Sequence, residues 1–153
     1  MKNSFIYICL MVVAMISCNQ DDKDPDVNIL GYWNIVSVNR NWSSEMKPDE
    51  NIDFQERYIF NDDGTFIKFS TKNQISGKTF LEPIQAFGIY EINPITDTDN
   101  LFEVILTFET NVVLASNCGS DAEYMILTKD NKLVNNSWVA CDGPSFVYQR
   151  RKI

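Results

Sequence analysis

From Ile29 onward the chain alternates apolar and polar residues with a period of two rather than 3.6. The clearest stretch is Leu101–Thr110. Phe102, Val104, Leu106 and Phe108 share one face there, and Glu103, Thr107 and Glu109 share the other with Ile105. Such alternation predicts a strand with one buried and one wet face. Shorter runs predict further strands at Tyr32–Val38, Arg57–Phe60, Thr65–Ser70, Phe87–Ile92, Ala122–Leu127, Ser137–Ala140 and Ser145–Arg150, with Val112–Ala115 as another candidate. No stretch carries a sustained helical stripe. Glu45–Asn51 has room for one helical turn, limited by Pro48. Asp-Gly in Asn61-Asp62-Asp63-Gly64 is a strong hairpin signal, and Asn93-Pro94, Asp97-Thr98-Asp99-Asn100 and Lys129-Asp130-Asn131-Lys132 punctuate the chain further on. Eight or nine short antiparallel strands in about 120 residues predict an all-β barrel or sandwich. With no internal repeat, one domain accounts for them.

The same turns predict a cross-link. If the chain reverses at Thr128–Asn131, Leu127 faces Lys132, and the register continued down the ladder sets Cys118 opposite Cys141. A bulge at Gly119 would slip this by one residue and leave the pair bridgeable. A structural disulfide between them is therefore expected if the protein is exported.

The first residues have a different pattern. Met1-Lys2-Asn3 is a short positive segment, and Phe5 to Ile16 is an unbroken apolar run. Twelve residues suit a secretory leader and fall short of the roughly 18–20 that span a bilayer. The run ends at Met15-Ile16-Ser17-Cys18, which resembles the lipobox of bacterial lipoproteins, with Met15 where Leu is usual. The resemblance implies cleavage after Ser17 and a lipid on Cys18. Residues 1–17 are then a signal peptide, 18–28 a tether and 29–153 the folded domain. Asn19 to Asp26 is charged and without an apolar side chain, so it predicts a solvated tether of about 20 Å or less. Its acidic run resembles the export signal of surface lipoproteins in Bacteroidota. That places the anchor in the outer membrane, facing the periplasm or the cell surface.

Composition narrows the chemistry. There is no histidine, which removes the commonest general base and metal ligand and every Ser-His or Cys-His pair. The net charge of −8 argues against nucleic acid, whose phosphates need Lys and Arg. Seven carboxylates fall between Glu45 and Asp63, yet no spacing implies a catalytic dyad, and Arg40 or Arg57 could neutralise one of them. The Asp/Asn-rich segments lack the ligand pattern of a calcium loop and read as turns. No metal or cofactor is expected, and no enzyme, although a carboxylate-dependent hydrolase stays open as a third reading that would need two convergent acids in a cleft with pKa values pushed apart.

Finally, Gly31-Tyr32-Trp33 opens the first strand as Gly-x-Trp, and the last strand ends Tyr148-Gln149-Arg150-Arg151. With Tyr58-Ile59-Phe60-Asn61-Asp62-Asp63-Gly64-Thr65-Phe66, Gly88-Ile89-Tyr90 and Tyr124-Met125-Ile126-Leu127 in order between them, the chain resembles the lipocalin-like lipoproteins of Bacteroidota. The resemblance implies an up-and-down barrel of about eight strands, closed by Gly31, Trp33 and Arg150, with Arg151 the alternative to Arg150. Two features depart from true lipocalins: Ala122-Glu123-Tyr124 stands nearest to the Thr-Asp-Tyr motif, and the helix after the barrel has no counterpart before Ile153. An eight-stranded interior is either filled by side chains or holds one small ligand. In the second case Tyr58, Phe60, Phe66, Tyr90, Phe102 and Phe108 line it, and the loop Asn41–Asp53, with Trp42 and Met46, covers one mouth. Two functions stay open: a barrel binding a small apolar or amphipathic ligand, and a filled barrel binding a protein partner as inhibitor, adhesin or accessory subunit.

Overall fold

The computed structural model describes residues 28–39, 52–73, 76–96 and 99–151. The expected leader, Cys18, the expected tether as far as residue 27 and the loop positions 40–51, with Trp42, Met46 and the candidate helical turn, lie outside the described residues. Eight strands follow in order: β1 Gly31–Asn39, β2 Glu56–Phe60, β3 Thr65–Lys72, β4 Thr79–Pro94, β5 Asn100–Phe108, β6 Ala122–Thr128, β7 Lys132–Asn135 and β8 Ser145–Arg150. Each pairs antiparallel with the next, and β8 pairs back onto β1, so the sheet closes as an up-and-down barrel of lipocalin-like form.

The alternation read from the sequence sets the two faces. Tyr58 and Phe60, Phe66, Val104, Leu106 and Phe108, Met125 and Leu127, Leu133, and Phe146 and Tyr148 all point inward and are buried. Rings meet edge to face across the interior, Phe66 on Phe108 at 5.0 Å and Tyr58 on Tyr148 at 5.0 Å. Gly88 is paired with both Phe66 and Phe108, and a Cβ there would lie 2.0 Å from the Thr107 carbonyl oxygen and 2.7 Å from the Phe66 ring. Only glycine fits where these rings cross the sheet.

At one end the turns are short. Gly64, at φ 81°, completes the β2–β3 turn, and Asp63 accepts hydrogen bonds from the Thr65 amide at 3.0 Å and hydroxyl at 2.6 Å. At the other end the connections are longer. The β5–β6 connection makes a 3-10 turn at Val112–Leu114 and buries Leu114, Ala115, Ser116 and Asn117. Val112–Ala115 is therefore not a strand.

Three further expectations are corrected. Ser137–Ala140 is not a strand: β7 lies upstream at Lys132–Asn135, because Asn135 Oδ1 accepts the Ser137 amide at 2.9 Å and turns the chain. A 3-10 turn follows at Val139–Cys141. The β6–β7 register is one residue from the expected one, with Leu127 facing Leu133 rather than Lys132. The turn there holds three residues, with Asn131 in the left-handed region at φ 59°, and an odd loop shifts the pairing. Lastly, β4 is far longer than Phe87–Ile92, since its first half pairs with β3 alone. Pro83 lies where that ladder is irregular, between the Lys72–Thr79 and Ser70–Ile84 pairs, where no amide is needed.

Candidate functional site

The residues named for barrel closure lie where β1 meets β8. Gly31 adopts φ 102°, a conformation suited to glycine, and lets the chain turn into β1. The Trp33 indole N–H donates to the Ile29 carbonyl at 2.7 Å, and the Arg150 guanidinium lies 5.2 Å above the Trp33 ring. Arg150 also donates to the backbone carbonyl and side-chain oxygen of Asn28. Arg151 contributes only its amide, to the Tyr32 carbonyl. A stacked Arg of this kind contributes about 0.5–2 kcal/mol.

Cys118 and Cys141 are bonded, with Cα atoms 6.0 Å apart. The bond does not extend the β6–β7 ladder, which ends at the Met125–Asn135 pair. It ties the β5–β6 connection to the 3-10 turn before β8, joining two loops at the same end. Closing 23 residues of chain contributes about 3 kcal/mol.

Of the six residues named as candidates to line a cavity, Tyr58, Phe60, Phe66 and Phe108 are buried against one another. Tyr90 and Phe102 are half-buried toward the short-turn end, and the Tyr90 hydroxyl donates to the Asn61 carbonyl at 2.6 Å. Burial, followed by the charges of Asp63 and Asp62, raises the Tyr90 phenol above the usual tyrosine range. Tyr58, Phe66, Leu106, Met125 and Tyr148 have no surface that a water molecule could touch. A ligand-sized chamber would leave its lining accessible, so the space between these side chains is filled.

What fills it includes a charged cluster. Lys68 points inward from β3 and is completely buried. Its ammonium donates to Glu123 Oε1 at 2.9 Å and Ser116 Oγ at 2.9 Å, and pairs with Glu56 Oε1 at 3.3 Å. It also lies 5.0 Å from the Tyr58 ring and 5.8 Å from that of Phe108. Glu123 accepts the Ser116 amide and the Tyr58 hydroxyl, each at 2.5 Å, and Glu56 accepts the Tyr148 hydroxyl at 2.5 Å. Burial, then the neighbouring negative charge of Glu123 for Tyr58 and Glu56 for Tyr148, hold both phenols well above the usual tyrosine range. All three ammonium hydrogens thus face oxygen, as a buried charge requires. Nearby, the buried Asn135 Nδ2 has no hydrogen-bond partner among the described residues.

Sequence reasoning missed this cluster, although the signal was present. Glu56 shares parity with Tyr58 and Phe60, Lys68 with Phe66, and Glu123 with Met125 and Leu127. Each charge sits in a row already read as inward.

Two clefts open on the outside. One, of about 430 Å³, runs along β6 beside the disulfide, with Tyr124, Ile126 and Ala140 on its apolar wall and Glu103 at its edge. The other, of about 230 Å³, lies at the long-loop end between β1 and the approach to β2, lined by Asn34, Ile35, Ile52, Phe54, Gln55, Glu56, Arg57, Phe69 and Pro83. It exists because β1 pairs with β2 only as far as Asn34–Arg57, then continues along β8 alone. Arg57 makes no ion pair among the described residues. Its guanidinium rests on the Phe69 ring at 5.5 Å, and its Nε is covered without a hydrogen-bond partner. Such an unmade bond costs about 1–3 kcal/mol.

Comparison with family models, with curated proteins and with solved structures found no significant match to this chain.

Proposed function

We propose that this protein is a lipid-anchored envelope lipoprotein of lipocalin-like type whose barrel is filled, and which acts from its outer surface as a binding module for a protein partner. The observation that carries this reading is the interior. Side chains of every size, from Trp33 and Tyr148 to Leu133, are fully buried there, and a charged cluster occupies space a carrier would leave to cargo. The β5–β6 connection folds in at the long-loop end and buries Leu114 and Ser116.

The outside, by contrast, offers apolar area. The cross-strand pairs Tyr32–Ile59, Ile59–Ile67 and Ile67–Phe87 form one continuous outer row, and Ile89 extends it. Tyr32, Phe87 and Ile89 are exposed, and such contiguous patches mark interaction surfaces. In this reading Glu56 and Glu123 are structural acids, each committed to Lys68 and a tyrosine, and the protein is no enzyme. The anchor rests on the Phe5–Cys18 pattern and puts the barrel at the outer membrane, facing the periplasm or the cell surface.

Native mass spectrometry of the lipidated protein released from its own membranes tests the filled barrel. The expected mass is that of polypeptide and anchor alone. A stoichiometric small molecule, retained equally by an Arg57→Gln variant, would restore the carrier reading, because that variant alters only the outer cleft.

A further inference from the structure

Arg57 combines the lack of an ion pair with a covered Nε that has no hydrogen-bond partner among the described residues. Acidic side chains outnumber basic ones twenty-one to thirteen, yet its guanidinium has no carboxylate within ion-pair distance among the described residues. Strand register explains why. The outer row through Arg57 reads Gln149–Asn34–Arg57–Phe69–Gln85, from the four successive strand pairings. Its neighbours are amides and one aromatic ring, with no acid among them. Glu56 also lines the cleft, but its carboxylate is turned inward, fully buried, and held by Lys68 and Tyr148. Ile35, Ile52, Phe54 and Pro83 are the apolar part of the lining, and the Lys72 ammonium lies 4.7 Å from the Phe54 ring.

We propose that this outer cleft binds a small amphipathic monocarboxylate, its carboxylate on the Arg57 guanidinium and its apolar portion against Ile35, Ile52, Phe54 and Pro83. A planar guanidinium presents paired donors that match a carboxylate's two oxygens. Arg57 is the one basic residue among the described residues that line the cleft, which suits a singly charged ligand rather than a multiply charged phosphate ester. About 230 Å³ equals on the order of eight water volumes, which fits an acid the size of hexanoate or phenylacetate and excludes a membrane lipid. Asn34 and Gln55 add amides at the rim for the outer carboxylate oxygen. The site lies where β1 parts from β2, with Arg57 on the outer face and Ile35 and Phe54 packed against the core.

The test is calorimetric titration of the full chain in nanodiscs with hexanoate, with empty nanodiscs as the blank and hexanol as the uncharged control. Hexanoate should bind saturably at one site, and Arg57→Gln should weaken it at least about tenfold while leaving any heat from hexanol unchanged. An Ile35→Glu variant, placing a carboxylate on the apolar wall, should abolish hexanoate binding. Equal affinity in Arg57→Gln, no saturable heat, or hexanol binding as tightly as hexanoate would each overturn the proposal. The melting temperature of Arg57→Gln, measured alongside, shows whether a loss of binding is a loss of fold.

Discussion

Lys68 and Arg57 lie on neighbouring strands of one hairpin, in adjacent pairs of the same ladder, and face opposite sides of the sheet. Lys68 is opposite Tyr58 and sealed inside, with every hydrogen aimed at an oxygen. Arg57 is opposite Phe69 on the outside, stacked on a ring and without an acid. A shift of one residue in register separates a charge that holds the barrel together from one left available. The difference lies in the second shell of pairing. The inner face brings carboxylates to Lys68 from other rows of β2 and β6, whereas the outer row brings amides and one aromatic ring to Arg57.

The sharpest way to break this contrast is to remove the inner cation. Lys68→Met leaves Glu56 and Glu123 buried and unneutralised, and should destabilise the barrel by about 3–5 kcal/mol in chemical denaturation. Replacing the whole cluster, with Lys68→Met, Glu56→Leu, Glu123→Leu, Tyr58→Phe and Tyr148→Phe together, should recover most of that loss. If the single variant is neutral, the inner charge has no structural role and the contrast collapses.

A smaller effect comes from pH. The phenols of Tyr58 and Tyr148 are raised in the folded state, so the folded barrel retains protons that the unfolded chain releases above its ordinary tyrosine value of 10.0. Stability from these groups is fully present below pH 10 and falls above it, by up to about 1.4 kcal/mol per pH unit for each tyrosine. Phenolate absorbance should therefore rise in two stages, the second coincident with loss of β-sheet circular dichroism. Titration of all tyrosines before unfolding would contradict the sealed interior.

The smallest effect belongs to the outer face. Arg57→Gln removes both the stacking on Phe69 and the unmade bond at Nε, which oppose each other, and should change unfolding free energy by less than about 1 kcal/mol. A loss of several kcal/mol would show that Arg57 holds the wall, and would erase the distinction between the two cations.

The fold was largely legible because hairpin chemistry and alternation agree through most of the chain. Asp-Gly at 63–64 announced the β2–β3 turn, and Phe102-Val104-Leu106-Phe108 announced the inner face of β5. The reading failed where side chains overrode pattern. Ser137-Trp138-Val139-Ala140 has the composition of a strand, but the Asn135 side chain captures the Ser137 amide first. In Thr79–Gln85, Pro83 hides a strand half whose free edge is satisfied by side chains: Asn111 Nδ2 donates to the Gln85 carbonyl, and the Thr110 hydroxyl accepts the Phe87 amide. Gly-x-Trp and the basic last strand named Trp33 and Arg150 together, and the two side chains do stack. The charged cluster was readable by parity alone, but parity conflicts with the rule that Lys and Glu stay outside. The Arg57 cleft was not readable, because it depends on where β1 leaves β2 for β8.

That closing contact also sets an order of events in time. β1 is made first and β8 last, and neither has its full set of backbone partners until the two meet. A growing chain therefore carries an open strand edge through almost its whole synthesis, a ready template for mispairing. Trp33 awaits Arg150 for just as long. A chain cut short before Ser145 would lack a seam rather than a tail, and would leave β1 from Ile35 to Asn39 without a strand partner.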